Sequence, residues 1–199
     1  MAVVLFDLGG VLVESNGRSA LQHLLPHLDA QQVLDRWNRS SAVGLFERGQ
    51  IAEAAFAAAF IEEWGLSIGP DAFLESFAAW VPGYLNGATS LVRTIRGKHR
   101  VRCLSNTNAV HWKRVTKLKS LFDFSFASHV TGLMKPDREA YELVISTLKV
   151  RPNEIHFFDD LPANVSAARD VGINAFLARG PQEVESILLS NGLLSHAGS

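Results

Sequence analysis

The sequence predicts an α/β protein built on a doubly wound parallel sheet, with an all-helical cap inserted after the first strand. Two observations support this fold class. Short, almost entirely apolar runs alternate with helical patterns from residue 88 onward, whereas residues 15–85 carry helical patterns alone. Strands that are apolar on both faces are typical of parallel sheets covered by helices on both sides.

The predicted strands and helices follow from these runs in chain order. The first strand is VVLF at 3–6, which stops at Asp7 and a pair of glycines. The other predicted strands are 100–104, 124–127, 154–158 and 173–178. The predicted helices among them are 88–97, about 108–120, 137–149 and about 162–171. Asp137 follows Pro136 and is predicted to cap the third of these helices.

The helical segment predicts a separate cap. Polar residues, Gly and Pro cluster around 14–18 and 82–88, so we expect a core of residues 1–14 and 87–199 and a cap of residues 15–86. The most apolar cap helix, 51–64, contains Glu53 and is shorter than the roughly 20 apolar residues of a membrane span. It is expected to pack within the cap.

Composition excludes several classes of partner and compartment. The chain has 19 basic and 20 acidic residues and a formal charge of −1, so no overall field favours nucleic acid or an anionic membrane. One cysteine cannot form an internal disulfide, and no positive n-region of a signal peptide precedes Arg18. We therefore expect a cytoplasmic protein; its oligomeric state stays open.

Polar side chains stand where the predicted strands end. Asp7 follows the first strand, Ser105 and Asn106 follow the second, and Asp159 and Asp160 follow the fourth. A further basic residue, Lys135, lies in the loop TGLMKPD. Because ligands of open parallel sheets bind at the carboxyl ends of the strands, these groups are expected to converge.

This inventory is suited to phosphoryl transfer with Mg²⁺. Carboxylate oxygens are the ligands this cation prefers, and Asp7, Asp159 and Asp160 offer them. Lys135, the Ser105 hydroxyl and the backbone N–H of Asn106 offer positive charge and donors to a phosphate. An ionised aspartate can attack phosphorus and form an aspartyl-phosphate.

At these residues the sequence resembles the haloacid dehalogenase superfamily of phosphohydrolases. FDLGGV, CLSN, the lysine of GLMKPD and FFDD resemble its four motifs in order, with a cap between the first two. The phrases LSNTN, KPDREAYE and FDDLPANVSAAR resemble the branch of sugar-phosphate phosphatases and the phosphatase domain of soluble epoxide hydrolases. The resemblance implies a Rossmann-like core and a Mg²⁺-dependent phosphatase acting on a small phosphorylated metabolite, such as a sugar phosphate.

The resemblance also implies roles for individual residues. Asp7 is implied to be the nucleophile, with Ser105 and Lys135 assisting catalysis. The implied metal ligands are Asp7, the Gly9 carbonyl and Asp160, with Asp159 associated. The implied phosphate-binding residues are Gly10, Ser105, Asn106 and Lys135. Arg48, in GLFERGQI, is the candidate for a cap residue that faces the substrate.

One expected carboxylate is absent. The usual first motif has a second aspartate two residues after the nucleophile, which serves as general acid and base, but this chain has Gly9 there. One hypothesis is a working phosphatase in which the substrate needs no acid, or a water or neighbouring group replaces it. The other is a weakened protein that binds a phosphometabolite or a protein partner.

Two further classes fit the motif order less well. The dehalogenases of this superfamily need no metal and usually lack the paired acid, so FFDD favours a phosphatase. In a signalling receiver domain the acidic pair precedes the phosphorylated aspartate, whereas here it comes last. The prediction is therefore a phosphatase.

Overall fold

The computed structural model describes residues 1–115, 118 and 120–195. Within these residues, five strands form one parallel sheet in the order β3-β2-β1-β4-β5. The strands are β1 (Val3–Phe6), β2 (Arg100–Ser105), β3 (Phe124–Ala127), β4 (Ile155–Asp159) and β5 (Asn174–Leu177). The predicted α/β class and parallel sheet are confirmed.

Helices connect the strands and cover both faces of the sheet. Those of the core are α6 (Ala88–Arg96), α7 (Ala109–Arg114), α8 (Ser128–Thr131), α9 (Arg138–Leu148), α10 (Pro162–Asp170) and α11 (Gly180–Ser190). Side chains alternate along β1: Val4 and Phe6 join one apolar cluster with α6 and α11, and Val3 and Leu5 join another with α9 and α10. The sheet is therefore doubly wound.

One predicted helix cap is wrong, and another predicted helix begins within about one residue of its expected start. Asp137 precedes α9, but its side chain makes no cap hydrogen bond and instead accepts one from Arg48, at 3.0 Å. The helix predicted at about 108–120 begins at Ala109 behind Asn108, which accepts a hydrogen bond from the backbone N–H of His111. Part of that predicted helix, residues 116, 117 and 119, lies outside the described residues.

The inserted segment contains α1 (Gly17–Leu24), α2 (Ala30–Arg39), α3 (Ser41–Glu47), α4 (Glu53–Trp64) and α5 (Pro70–Ala78). Asp29 and Gln32 form a capping box at the start of α2, and Ser40 caps α3. These helices share an aromatic cluster whose buried members include Phe46, Phe56, Phe60, Trp64, Phe73, Phe77 and Trp80. The division into a core and a cap at the stated boundaries stays a prediction.

Side-chain contacts join the helical segment to the sheet layer. His111 of α7 bonds the Phe77 carbonyl oxygen through Nε2 at 2.7 Å and stacks on the Phe77 ring. Lys113 pairs with Glu53 at 2.7 Å, and Arg48 pairs with Asp137. Among the described residues, no helix is long and apolar enough to cross a bilayer.

Candidate active site

The sheet places the predicted carboxylates side by side. β1 lies between β2 and β4, and Phe6 is in register with Cys103 and Phe158. The residues that come next along the three strands, Asp7, Leu104 and Asp159, are therefore neighbours at the carboxyl edge. Asp7 is fixed there because its backbone N–H donates to the Phe158 carbonyl at 2.9 Å.

Lys135 lies between two of these carboxylates. Its Nζ donates to Asp7 Oδ1 at 2.7 Å and to Asp159 Oδ2 at 2.6 Å, and its side chain is 1% exposed. Burial alone would lower the pKa of the Lys135 ammonium group, but the charges and hydrogen bonds of Asp7 and Asp159 outweigh burial and raise it. Lys135 is therefore a permanent cation at the base of the site.

Asp7 is the carboxylate most affected by this environment. Burial raises its pKa to about 7, aided by the charges of Asp159 and Asp160, while Lys135 opposes the rise. Burial and the charge of Asp159 also raise the pKa of Asp160. The cluster holds three carboxyl groups and one ammonium group, so a bound cation would stabilise its ionised form.

The donor set fits a divalent metal. One oxygen each from Asp7, Asp159 and Asp160 lie within 4.8 Å of one another. Asp159 already accepts from Lys135, from the Leu161 N–H and from the Asn164 amide. Asp7 and Asp160 are the carboxylates available to the ion, and no backbone N–H of the described residues bonds the Gly9 carbonyl.

Two adjacent glycines differ in their surroundings. Gly10 has φ +72°, and an added Cβ would lie 2.6 Å from Asp160 Oδ2. Its N–H donates to Val13 O at 2.9 Å, so the predicted phosphate contact through Gly10 lacks a free donor, and Gly10 instead makes room for Asp160. At Gly9 an added Cβ would meet only Asp7 Oδ2, at an ordinary 3.9 Å.

The loop after β2 positions Lys135. The Asn106 side chain accepts from the Lys135 N–H at 2.9 Å and donates to the Lys135 carbonyl at 2.8 Å. The Asn106 side chain therefore hydrogen-bonds within this loop. The backbone N–H of Asn106, three residues before α7, makes no hydrogen bond to any described backbone acceptor. Ser105 is buried beside it, with its hydroxyl 3.5 Å from the Asn106 carbonyl.

Some supporting residues were not singled out from the sequence. The buried Asn164 donates to both oxygens of Asp159 at 3.0 Å, and Tyr141 donates to the Asn164 carbonyl. Ser128 accepts from the Thr107 N–H and donates to the Thr107 carbonyl, which joins the loops after β2 and β3. Asn164 belongs to the quoted phrase FDDLPANVSAAR, so the resemblance itself was the available signal.

A cavity of about 1080 Å³ opens above these groups. Asp7, Gly9, Ser105, Lys135 and Asp160 line its floor, and helices α1, α2 and α3 supply much of the opposite wall. The wall includes the predicted cap residue Arg48, whose guanidinium pairs with Asp137 at 3.0 Å. All the predicted site residues except the fully buried Asp159 therefore line one cavity.

The family assignment agrees with this geometry. Residues 1–172 match the family model described as haloacid dehalogenase-like hydrolase. The chain belongs to this family. The resemblance stated from the four motifs is confirmed, as is the hydrolase class.

Relatives of the chain include named phosphatases. It is 26% identical over 188 residues to D-ribitol-5-phosphate phosphatase of Bacteroides thetaiotaomicron, covering 87% of this chain and 89% of that protein. It is 30% identical over 177 residues to the sesquiterpene phosphatase astK of Aspergillus oryzae, covering 85% of each. Against bifunctional epoxide hydrolase 2 of Rattus norvegicus it is 41% identical over 63 residues, and the chain spans only 11% of that relative's length.

Solved structures share the fold. A haloacid dehalogenase family enzyme of Bacteroides thetaiotaomicron, crystallised with magnesium and inorganic phosphate, superposes with a TM-score of 0.76 at 23% identity. The match covers 90% of this chain and 94% of that chain. The likeness confirms the arrangement of sheet and helices.

Proposed function

We propose that the chain is a Mg²⁺-dependent phosphatase that hydrolyses a small phosphorylated metabolite through an aspartyl-phosphate on Asp7. One observation carries the proposal: a nearly buried Asp7 carboxyl group is bonded to Lys135 beside Asp160 on the floor of a covered cavity. The proposed nucleophile, a cation and the proposed metal-ligating carboxylate thus lie close together, which supports the proposal. The phosphatase relatives support the same reading.

Each side chain has a defined task in this scheme. Mg²⁺, held by Asp7, Asp160 and the Gly9 carbonyl, would supply positive charge to a phosphate oxygen. Lys135 holds one oxygen of Asp7 and keeps the carboxyl group oriented. The Ser105 hydroxyl and the Asn106 N–H can donate to phosphate oxygens, since neither is bound to a strong partner in the described part of the chain.

The covered cavity favours a small substrate. Helices α1 to α3 form its outer wall, so a folded phosphoprotein would have to displace them to reach Asp7. The names of two relatives specify a sugar-alcohol phosphate and a sesquiterpene as substrates of those proteins. We propose the class of small phosphorylated metabolites, with sugar phosphates to be tested first.

The test is a screen of phosphorylated metabolites and p-nitrophenyl phosphate with Mg²⁺, read as phosphate release. Asp7→Asn should abolish turnover because it removes the nucleophile, and Asp71→Asn, an exposed change in α5, should leave it intact. Intact mass of the quenched enzyme should show one added phosphoryl group. Turnover that survives Asp7→Asn, or no Mg²⁺-dependent turnover, would contradict the proposal and favour a binding protein.

Arg48 is proposed to contact the leaving group. Its guanidinium lines the cavity, and one of its nitrogens is occupied by Asp137, which leaves other donors for a substrate. Arg48→Ala should raise KM for the best substrate by about tenfold, more than it lowers kcat. An unchanged KM would remove Arg48 from the binding site.

A further inference from the structure

A glutamate of the helical segment lines the same cavity as Gly9, the position where the first motif lacks a carboxyl group. Helix α3 turns one face to the cavity, since the residues that line it have helical spacing: Ser40, Val43, Gly44, Glu47 and Arg48. Glu47 is the last residue of α3, is only partly exposed, and shares this cavity with Asp7 and Gly9. A carboxyl group thus enters from the cap side of the site.

The neighbours of Glu47 hold it in place while leaving its carboxyl group free. Arg48 is tied to Asp137, and Gly49, at φ +68°, packs so closely on the His129 carbonyl that an added Cβ would overlap it. These contacts fix the end of α3 against the core. Yet among the described residues, no side chain or backbone group hydrogen-bonds the Glu47 carboxyl group.

Charged residues of the site interact electrostatically with Glu47. Burial raises the pKa of Glu47 to about 7; Asp7 adds to the rise, and Arg48 and Lys135 oppose it. A carboxyl group of this pKa is half-protonated at neutral pH, the condition under which one residue can both donate and accept a proton. Glu47 therefore has the protonation behaviour that its position requires.

The other candidate acids and bases on the cavity wall are engaged, except Glu14, whose side chain is exposed to solvent. Both ring nitrogens of His111 are occupied, because Nε2 donates to Phe77 O and Nδ1 meets the Asn108 amide, and burial lowers the pKa of the ring. Asp137 is paired with Arg48. Asp160 is proposed as a metal ligand, which leaves Glu47 as the partly buried, uncommitted acid of the described cavity wall.

We propose that Glu47 is the general acid and general base of this site and replaces the carboxylate that Gly9 lacks. The inference rests on the proposed phosphatase function and deepens it. It assigns the acid to the cap, so the catalytic set is complete only when the end of α3 lies over Asp7.

The two chemical steps balance with Glu47 in this role. First, an Asp7 oxygen bonds to phosphorus as the bond to the leaving oxygen breaks, and the Glu47 proton moves to that oxygen to release an alcohol. Second, a water oxygen bonds to phosphorus as the bond to Asp7 breaks, and the Glu47 carboxylate takes a proton from the water. Inorganic phosphate leaves, and Asp7 and Glu47 return to their starting states.

The primary test compares Glu47→Gln with wild type on an alkyl phosphate and on p-nitrophenyl phosphate, both with Mg²⁺. With the alkyl phosphate, kcat should fall about 10²–10⁴-fold because the alkoxide leaves without a proton. With p-nitrophenyl phosphate, a burst of one nitrophenol per enzyme should precede slow turnover, because only the second step needs the base. The matched control is Glu62→Gln, an exposed cap glutamate outside the cavity.

The pH profile gives a second readout. For the alkyl phosphate, wild-type kcat should fall above about pH 7 as Glu47 loses its proton, and Glu47→Gln should lack this limb. The charged groups that act on Glu47 are Arg48 on its own helix, Asp7 after β1 and Lys135 before α9. A change in KM alone, or a kcat within threefold of wild type, would overturn the assignment.

Gly9→Asp provides a second test if Glu47→Gln fails to fold, since an added β-carbon at Gly9 meets only Asp7 Oδ2, at an ordinary 3.9 Å. In the wild-type background it should change kcat on alkyl phosphates by less than tenfold, because the acid is already supplied. In the Glu47→Gln background it should restore most of the loss. A gain of 10²-fold in wild type, or no rescue, would overturn the role of Glu47, whereas an inactive wild type would reject the phosphatase itself.

Discussion

Gly9 and Gly10 are chemically identical neighbours with opposite tolerance for a side chain. Gly10 has the left-handed φ that β-carbons disfavour, and its α-carbon faces the Asp160 carboxylate. Gly9 has neither constraint. The first glycine therefore marks the loss of a functional group, and the second marks a requirement of the backbone.

This difference gives a paired prediction at the residue scale. Gly10→Ala should displace Asp160 and weaken Mg²⁺ binding about 10–100-fold, as measured by calorimetric titration. Gly9→Ala should leave the Mg²⁺ affinity within about threefold of wild type, because its methyl group meets only an ordinary contact. Equal effects of the two substitutions would contradict the role assigned to Gly10.

Single residues also show what sequence reasoning could reach. Asp7, Ser105, Lys135, Asp159 and Asp160 could be found because each directly follows an apolar run or lies in a motif. The hydrogen bonds of the Asn106 side chain could not be found in this way, because their partner Lys135 lies 29 residues away and such pairing has no local signal.

At the scale of elements, the end of α3 is one of the places where the helical segment contacts the sheet layer. The Arg48–Asp137 ion pair is partly exposed and stabilises by less than about 1 kcal/mol. Gly49 provides the closer constraint, because its α-carbon packs against the backbone of α8. The position of α3 against α8 thus depends more on the missing β-carbon of Gly49 than on the Arg48–Asp137 ion pair.

We therefore predict that Gly49→Ala lowers the free energy of unfolding by about 2–3 kcal/mol and raises KM, since the end of α3 must move off α8. Gly65→Ala is the control: Gly65 also has a left-handed φ, of +64°, but an added β-carbon there meets nothing within 4 Å. It should cost only about 1 kcal/mol and leave KM unchanged. Urea unfolding and steady-state kinetics measure both, and matching losses would show that the contact with α8 is dispensable.

The elements themselves were largely predictable, and for a physical reason. Each predicted strand is a largely apolar run, and the predicted boundaries fall within about one residue of the observed ones for all five strands, β1 to β5. Helix ends were less certain. Asp137 is a residue type that often caps helices, yet its carboxylate accepts a hydrogen bond from Arg48, 89 positions earlier. A tertiary ion pair has therefore overridden a local preference.

At the scale of the whole molecule, the site concentrates negative charge in an interior built from two apolar clusters. Those clusters cover opposite faces of the sheet, and the carboxyl groups lie at the edge between them. Ionising all three carboxyl groups there costs free energy that one lysine offsets in part. Binding of a cation at this site should therefore increase the free energy of unfolding.

At one fixed Mg²⁺ concentration, a hundredfold above the Kd at pH 8, Mg²⁺ should raise the melting temperature by about 5–10 °C at pH 8 and by less at pH 6. The sign follows from Asp7, whose pKa is raised to about 7: below that pH the proton competes with the metal, and above it the carboxylate is free to bind. Thermal melts with Mg²⁺ and with EDTA at both pH values measure this. In Asp160→Asn, Mg²⁺ should raise the melting temperature much less. An increase in melting temperature that is the same at both pH values would contradict the assignment of Asp7.

Cys103 is the one thiol of the chain, and it is fully buried in β2, where burial raises its pKa above the ordinary range. Maleimides and other thiol reagents should therefore spare the native protein. A cysteine introduced on the exposed side of α3 would therefore be the reactive thiol of the protein, and Cys103 would not have to be replaced first. The molecule is thus suited to fluorescent or spin labelling, which would show whether α3 moves relative to the sheet when Mg²⁺ or a substrate is added.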